Sequence, residues 1–242
     1  VREAIEQAVD LSIDKDRAKA VASYLSVLVN RLADYNSTIC SWHNTGEKIG
    51  HTFGRQALPM VWDFTELAPF GEASGSPQGA LDWIVGVAEA QSGTGTPATV
   101  VRGSATGLPW PDNSFDAVIT DPPYYDNVPY ADISDFFYVW LKRTIGHLYP
   151  EHFATQGTPK KNEATALSSQ HDGDMEKARA AYEGMMACSF AEANRVLKPG
   201  GQMAVVYAHK TTLGWSTLVD ALREAGFTVT EAWPLDTEMG AR

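Results

Sequence analysis

Apolar residues recur at helical spacing from Asp14 to about Tyr35, DKDRAKAVASYLSVLVNRLADY, and Asp14 is placed to cap that run. From Asn36 to Thr52 the pattern breaks into polar and turn-forming residues. Residues 53–70, FGRQALPMVWDFTELAPF, suit a short helix interrupted or started near Pro59. GEASGSPQG reads as a loop, and LDWIVGVAEA as a helix ended by SGTGTP. The period then changes. ATVVRGSA predicts a strand, LPWPDNS a turn and FDAVIT a second strand. Asp132 to about Ile145, DISDFFYVWLKRTI, predicts an aromatic-rich helix. Residues 146–173 carry no period and predict a long excursion, of the kind that is usually functional or disordered. A helix follows from about Asp174 to Leu197, with KPGG closing it. QMAVVYAH predicts a strand, WSTLVDALREAG a helix capped by Gly226, and FTVTEAWPL a last strand.

Strands alternating with helices over the C-terminal half predict an α/β fold with a largely parallel sheet. Ligands in such sheets sit at the carboxyl ends of strands, which directs attention to the exit of FDAVIT: Asp121, Pro122, Pro123, Tyr124, Tyr125.

Composition adds limits. The 242 residues are 44% hydrophobic, enough for one large or two small domains with a real core. No stretch reaches the length of a membrane span, and two cysteines, Cys40 and Cys188, allow one disulfide but read better as free thiols of a cytoplasmic protein. Two cysteines cannot make a zinc cluster, and no metal site is expected. The net charge of −11 opposes nucleic-acid binding by the molecule as a whole. It is unevenly spread: between Phe136 and Asn162, Lys142, Arg143, Lys160 and Lys161 face only Glu151, a local net of +3. An acidic body with such a strip can still hold a polyanion there.

The Asp121–Tyr124 stretch carries a specific chemistry. Each proline fixes its own φ and restricts the residue before it, so the backbone is stiff. A stiff turn with a carboxylate and an outward carbonyl can accept two hydrogen bonds from one planar NH₂ group. Tyr124 can stack on the ring that bears this amine, as for the exocyclic amine of a flipped base. The plainer alternative is a strand-end turn whose Asp caps the next element and whose Tyr belongs to the core.

DPPY after an apolar strand resembles the motif of S-adenosylmethionine (SAM)-dependent amino-methyltransferases acting on adenine N6 or cytosine N4. The longer strings FGRQALPMVWDF, DPPYYDNVPYADISDFFYVWLKR, TPKKNEA, LKPGGQMAVVYAHK and GFTVTEAWPLDTE are similar to adenine-specific DNA methylases that carry a zinc-ribbon insertion. They cover most of residues 53–242. The resemblance implies a Rossmann-like SAM-dependent methyltransferase fold and methylation of adenine N6 in DNA. It implies that Asp121 and the Pro122 carbonyl orient the amine toward the SAM methyl, with Tyr124 stacked on the base. Gly103, Ser104 and Ala105, together with Asp121, fall where the cofactor is contacted. Many such enzymes have an acid where this chain has Ser104.

The glycine-rich loop that holds the methionine end of SAM in these enzymes has no counterpart here; APFGEASG is the nearest string and lacks the acid and the preceding strand. The zinc-ribbon cysteines are missing too. The resemblance therefore implies an incomplete fold, with the first strand and that loop in an N-terminal part upstream of Val1. Residues 1–70 would be a helical segment joining it, and 71–242 the catalytic core with a target-recognition excursion at about 146–173. Two other readings stay open: an RNA amino-methyltransferase, since RNA guanine-N2 enzymes use similar tetrapeptides, and a non-catalytic nucleic-acid-binding partner subunit that has lost its cofactor loop.

Further substrate-binding candidates are Tyr125, Asn127 and Tyr130, which follow the motif, and His209 and Lys210, which end the strand QMAVVYAH. Lys160 and Lys161 join them in the excursion, beside Glu163, although a solvated loop is as good an account. Phe136, Phe137, Tyr138 and Trp140 suit a base pocket or a core. Arg55 suits an anion contact or a structural ion pair.

Overall fold

In the computed structural model, residues 2–11, 14–54, 57–125, 128–209 and 212–234 are described. They form a mixed α/β protein with six α-helices and a small parallel sheet. The chain divides into two compact units, residues 1–98 with 129–163, and residues 99–128 with 164–242.

The first unit is helical. Helix α1 spans Arg2–Leu11 and α2 Lys15–Tyr35, whose first turn is capped as its sequence predicts, the Asp14 carboxylate accepting from the Arg17 amide at 3.0 Å. Residues Trp42–His43 (β1) and Lys48–Ile49 (β2) make a small antiparallel hairpin. Asp34 ties the chain beyond it to α2: one carboxylate oxygen lies 2.6 Å from His51 Nδ1 and the other accepts from the Thr52 amide at 3.1 Å. No helix forms among the described residues near Pro59, whose ring lacks a donor and favours extended backbone at Leu58. Leu58, Met60, Trp62 and Phe64 instead stand exposed at every second position.

Helix α3, Pro77–Gln91, begins with Ser76 accepting from the Gly79 amide and with proline at its first position. Helix α4, Tyr130–Ile145, starts two residues before the predicted Asp132 and ends at Ile145 as predicted. Ile5, Ala22 and Ile145 form the unit's buried apolar cluster, with Leu141, Leu148, Tyr149 and Phe153 packed on it. The irregular segment after α4 returns over that helix. Tyr138 donates to the Thr155 carbonyl, Thr158 Oγ1 to the Ala131 carbonyl, and Glu163 accepts from the Ala131 amide at 2.8 Å.

The second unit carries the parallel pair. Strand β3, Phe115–Thr120, has the span that the apolar run predicts. Helix α5, Met175–Val196, is capped by Asp174, which accepts from the Glu176 and Lys177 amides. Strand β4, Leu197–Val205, follows without a loop and pairs parallel to β3, and Thr212–Glu224 forms α6. KPGG therefore does more than end a helix. The register jumps from Phe115↔Leu197 to Ala117↔Gln202, so Lys198 to Gly201 bulge out of the strand. Gly200 lies at φ +80°, and a Cβ at Gly201 would sit 2.9 Å from the Asp116 carbonyl oxygen. Glycine is required at both.

One face of the pair, with Met203 and Val205, packs on Tyr182, Met186 and Phe190 of α5 and on Leu218, Ala221 and Leu222 of α6. On the other face Ile119, 80% exposed, and Val206 meet solvent. The strands predicted at 98–105 and 227–235 are absent from the described residues, where only Ser104 and Gly107 form an isolated bridge. A strand exists only through its ladder, and neither segment meets a partner edge among the described residues. The LPWPDNS turn is held from α5 by Arg195, which donates to the Leu108 and Trp110 carbonyls and to Asp112. Glu192 accepts from the Leu108 amide and from Arg195. These bonds, that from Arg195 foremost, hold the Glu192 carboxyl down at about 2.

Candidate active site at the end of strand β3

The parallel ladder closes with the Val206 amide donating to the Thr120 carbonyl at 2.9 Å, and Asp121 is the next residue out. Its side chain is exposed and makes no ion pair or hydrogen bond among the described residues. Pro122 is buried, and Pro123 and Tyr124 are half-buried. Asp121 thus stands at the carboxyl edge of the sheet on a backbone stiffened by two prolines. It makes no capping bond among the described residues, and in the first turn of α4 the Ala131 amide donates to Glu163.

The turn is supported from below. Tyr125 is 4% exposed, its carbonyl accepts from the Ala166 amide at 2.7 Å, and its ring meets Tyr182 edge to face at 5.0 Å. The sequence places Tyr125 at the substrate; the structure places it in the core instead, as the residue that anchors the turn. Tyr182, on α5, donates its hydroxyl to the Pro123 carbonyl at 3.0 Å. No local pattern points to Tyr182, which lies 59 residues downstream.

His209 comes to the same place from β4. Its ring lies 5.9 Å from that of Tyr125 and stacks at 9° on Tyr207, and its carbonyl accepts from Trp215 Nε1 at 3.0 Å. His209 lies beyond the end of β4 at Val205 rather than on the strand, with its imidazole half-buried among rings beside Tyr125.

Gly103, Ser104 and Ala105 form an exposed turn. Ser104 Oγ accepts from the Thr106 amide and lies 2.8 Å from Thr106 Oγ1, and a Cβ at Gly103 would meet nothing within 4 Å. The Ser104 hydroxyl is thus turned to Thr106, and the stretch encloses no space. Among the described residues no group of three or more His, Cys, Asp or Glu could hold a metal ion.

Tyr130, Lys160 and Lys161 belong to the first unit. Lys160 is ion-paired with Asp135, which also accepts from the Thr158 amide and hydroxyl. These contacts, the Lys160 bond largest, lower the Asp135 carboxyl to about 2. Lys142 donates to the Thr155 carbonyl, whereas Arg143 and Lys161 are exposed. The +3 strip therefore keeps two cations for the fold and presents two to solvent. Phe136 and Phe137, both half-buried, pack around half-buried Phe53 with ring centroids at 5.3 and 5.9 Å. Asn127, Lys210 and Arg55 lie outside the described residues.

No helix among the described residues is long and apolar enough to cross a membrane. No protein-family model matches this chain, nor does any curated protein or solved structure.

Proposed function

We propose that this chain is the catalytic part of a SAM-dependent methyltransferase that acts on the exocyclic N6 amine of adenine in DNA. The reading rests on one observation. An exposed carboxylate with no partner among the described residues, Asp121, leaves the carboxyl end of a parallel strand on a double-proline backbone, with an aromatic ring three residues on. Asp121 and the Pro122 carbonyl accept the two amine hydrogens and so point the nitrogen lone pair at the incoming methyl. Tyr124 stacks on the extruded base. The cofactor supplies an electrophilic methyl, with Gly103, Ser104 and Ala105 on its adenine side. Asp121 needs no raised basicity, because the amine becomes acidic only as the new bond forms. The chain's contribution is alignment. The same reading carries a Rossmann-like frame, a cytoplasmic location and an upstream part that supplies the methionine-side contacts.

One observation favours a second reading. Gly103–Ala105 stand open and exposed, which suits a nucleic-acid-binding subunit without a cofactor. Labelled SAM offered with matched DNA and RNA, followed by nucleoside analysis, decides the question. N6-methyladenine in DNA is the expected product. Label in RNA alone moves the substrate class, and no label with any partner segment present leaves the binding subunit.

A further inference from the structure

Resting on the methyltransferase reading above, we propose that Tyr182 is the positioning residue of the Asp121–Tyr124 turn, setting the aim of Tyr124 and acting on turnover rather than on binding. The backbone of this turn has few means of holding itself. Pro122 and Pro123 have no N–H, so the turn cannot continue the ladder that ends at the Thr120 carbonyl. Each proline ring fixes φ, which leaves ψ as the soft dihedral. At Pro123, ψ is the direction of the carbonyl. That carbonyl is the one Tyr182 takes at 3.0 Å. With φ set by the ring and ψ by the phenol, the peptide plane entering Tyr124 has one orientation.

The phenol is itself tightly packed. Tyr182 is 1% exposed, its ring meets Tyr125 edge to face at 5.0 Å and 82°, and it packs with Met186, Phe190 and Ala166. Ala166 closes the arrangement by donating its amide to the Tyr125 carbonyl at 2.7 Å. Thr120 and Tyr125 are thus tied at the two ends of the turn and Pro123 between them. Without the hydroxyl the fold keeps its apolar packing, but the Pro123 carbonyl loses this donor and the peptide entering Tyr124 loses that constraint on its direction. Small errors of aim at a reacting centre cost large factors in rate.

The test is Tyr182→Phe in the 242-residue chain, together with any upstream segment that activity requires, against p-aminophenylalanine at the same position. The phenylalanine variant keeps the ring and loses the donor; the amino variant regains an N–H donor. Two readouts are taken. In carbonyl-labelled protein the Pro123 carbon should move upfield in Tyr182→Phe and return with the amino group. In methyl transfer, kcat should fall by about tenfold or more, with KM for SAM and for DNA little changed, and the amino variant should recover most of the loss. An unmoved Pro123 resonance, or a moved one with kcat unchanged, overturns the proposal. Equal losses in kcat and binding that the amino variant does not rescue reduce Tyr182 to a core residue. If the parent methylates neither DNA nor RNA, the functional reading fails on its own, and the carbonyl readout still decides whether Tyr182 holds the turn.

Discussion

The His209 ring occupies the space that a side chain at Gly214 would need: a Cβ there would lie 2.3 Å from both Cγ and Nδ1 of the imidazole. The ring has little room to retreat, with Tyr207 and Tyr125 against it. Gly214→Ala should therefore destabilise the protein by about 1–3 kcal/mol, as overpacking does. Adding His209→Ala should return part of that loss, because the two changes compete for one space. Denaturant midpoints of the two single variants and the double variant give the answer; strictly additive losses would mean that the contact is not the cause.

Acid should unfold the protein partly through two carboxylates. Glu192 is lowered from 4.5 to about 2 by Arg195 and the Leu108 amide, and Asp135 from 3.8 to about 2 by Lys160 and Thr158. A folded value below the unfolded one means that the folded state favours the ionised form. The stabilisation is complete above the unfolded values and is lost as pH falls from there toward 2. Glu192→Gln should melt lower than the parent at neutral pH and converge on it near pH 2. A constant gap across that range would remove Glu192 from the acid response.

Asp121→Ala should abolish methyl transfer and leave the melting temperature unchanged, since the exposed side chain has no partner among the described residues. Tyr124→Ala should be severe, because the stacking ring is gone, and Tyr124→Phe mild. Transfer by Asp121→Ala within about tenfold of the parent would make the motif only a turn, because positioning groups at a reacting centre are worth more than that.

The polymer contact should divide the cations of the strip. Neutralising exposed Arg143 and Lys161 should lower the salt slope of DNA binding by about 2, one for each phosphate left without its cation. Lys160→Ala should instead lower thermal stability, by releasing Asp135. An unchanged slope in the double variant places the DNA-binding surface elsewhere.

Local chemistry that the sequence announces is found where the chain alone decides it. Asp14 and Asp174 cap their helices, and the apolar run Phe115–Thr120 is a strand. What depends on distant partners is not legible. The β-branched residues of 98–101 and 227–230 look like strands, yet a strand needs another edge, and the pattern does not say whether one is present. KPGG has the composition of a helix stop and also of a bulge, and only the pairing of Ala117 with Gln202 distinguishes them. Asp121 can be found from its setting after a strand. Tyr182 cannot, because a tyrosine in an amphipathic helix looks the same whether or not its hydroxyl has a carbonyl to hold. Lys160 looks like a ligand for phosphate because Asp135, its partner, lies 25 residues away.

The interleaving of the two units governs the order in which the protein can be made. Residues 129–163 belong to the first unit, although the second begins before them and resumes after them. Among the described residues strand β3 pairs with β4 alone, and β4 with its crossover helix is synthesised more than 75 residues later. Closing so long a loop costs entropy before any ladder bond forms, so the second unit should fold late and slowly. The first unit lacks α4 until residue 145 has been made. Neither can therefore be released as a single uninterrupted stretch, and a nascent chain halted near residue 128 would hold the complete Asp121–Tyr124 motif before β4, the sheet partner of β3 among the described residues, has been made.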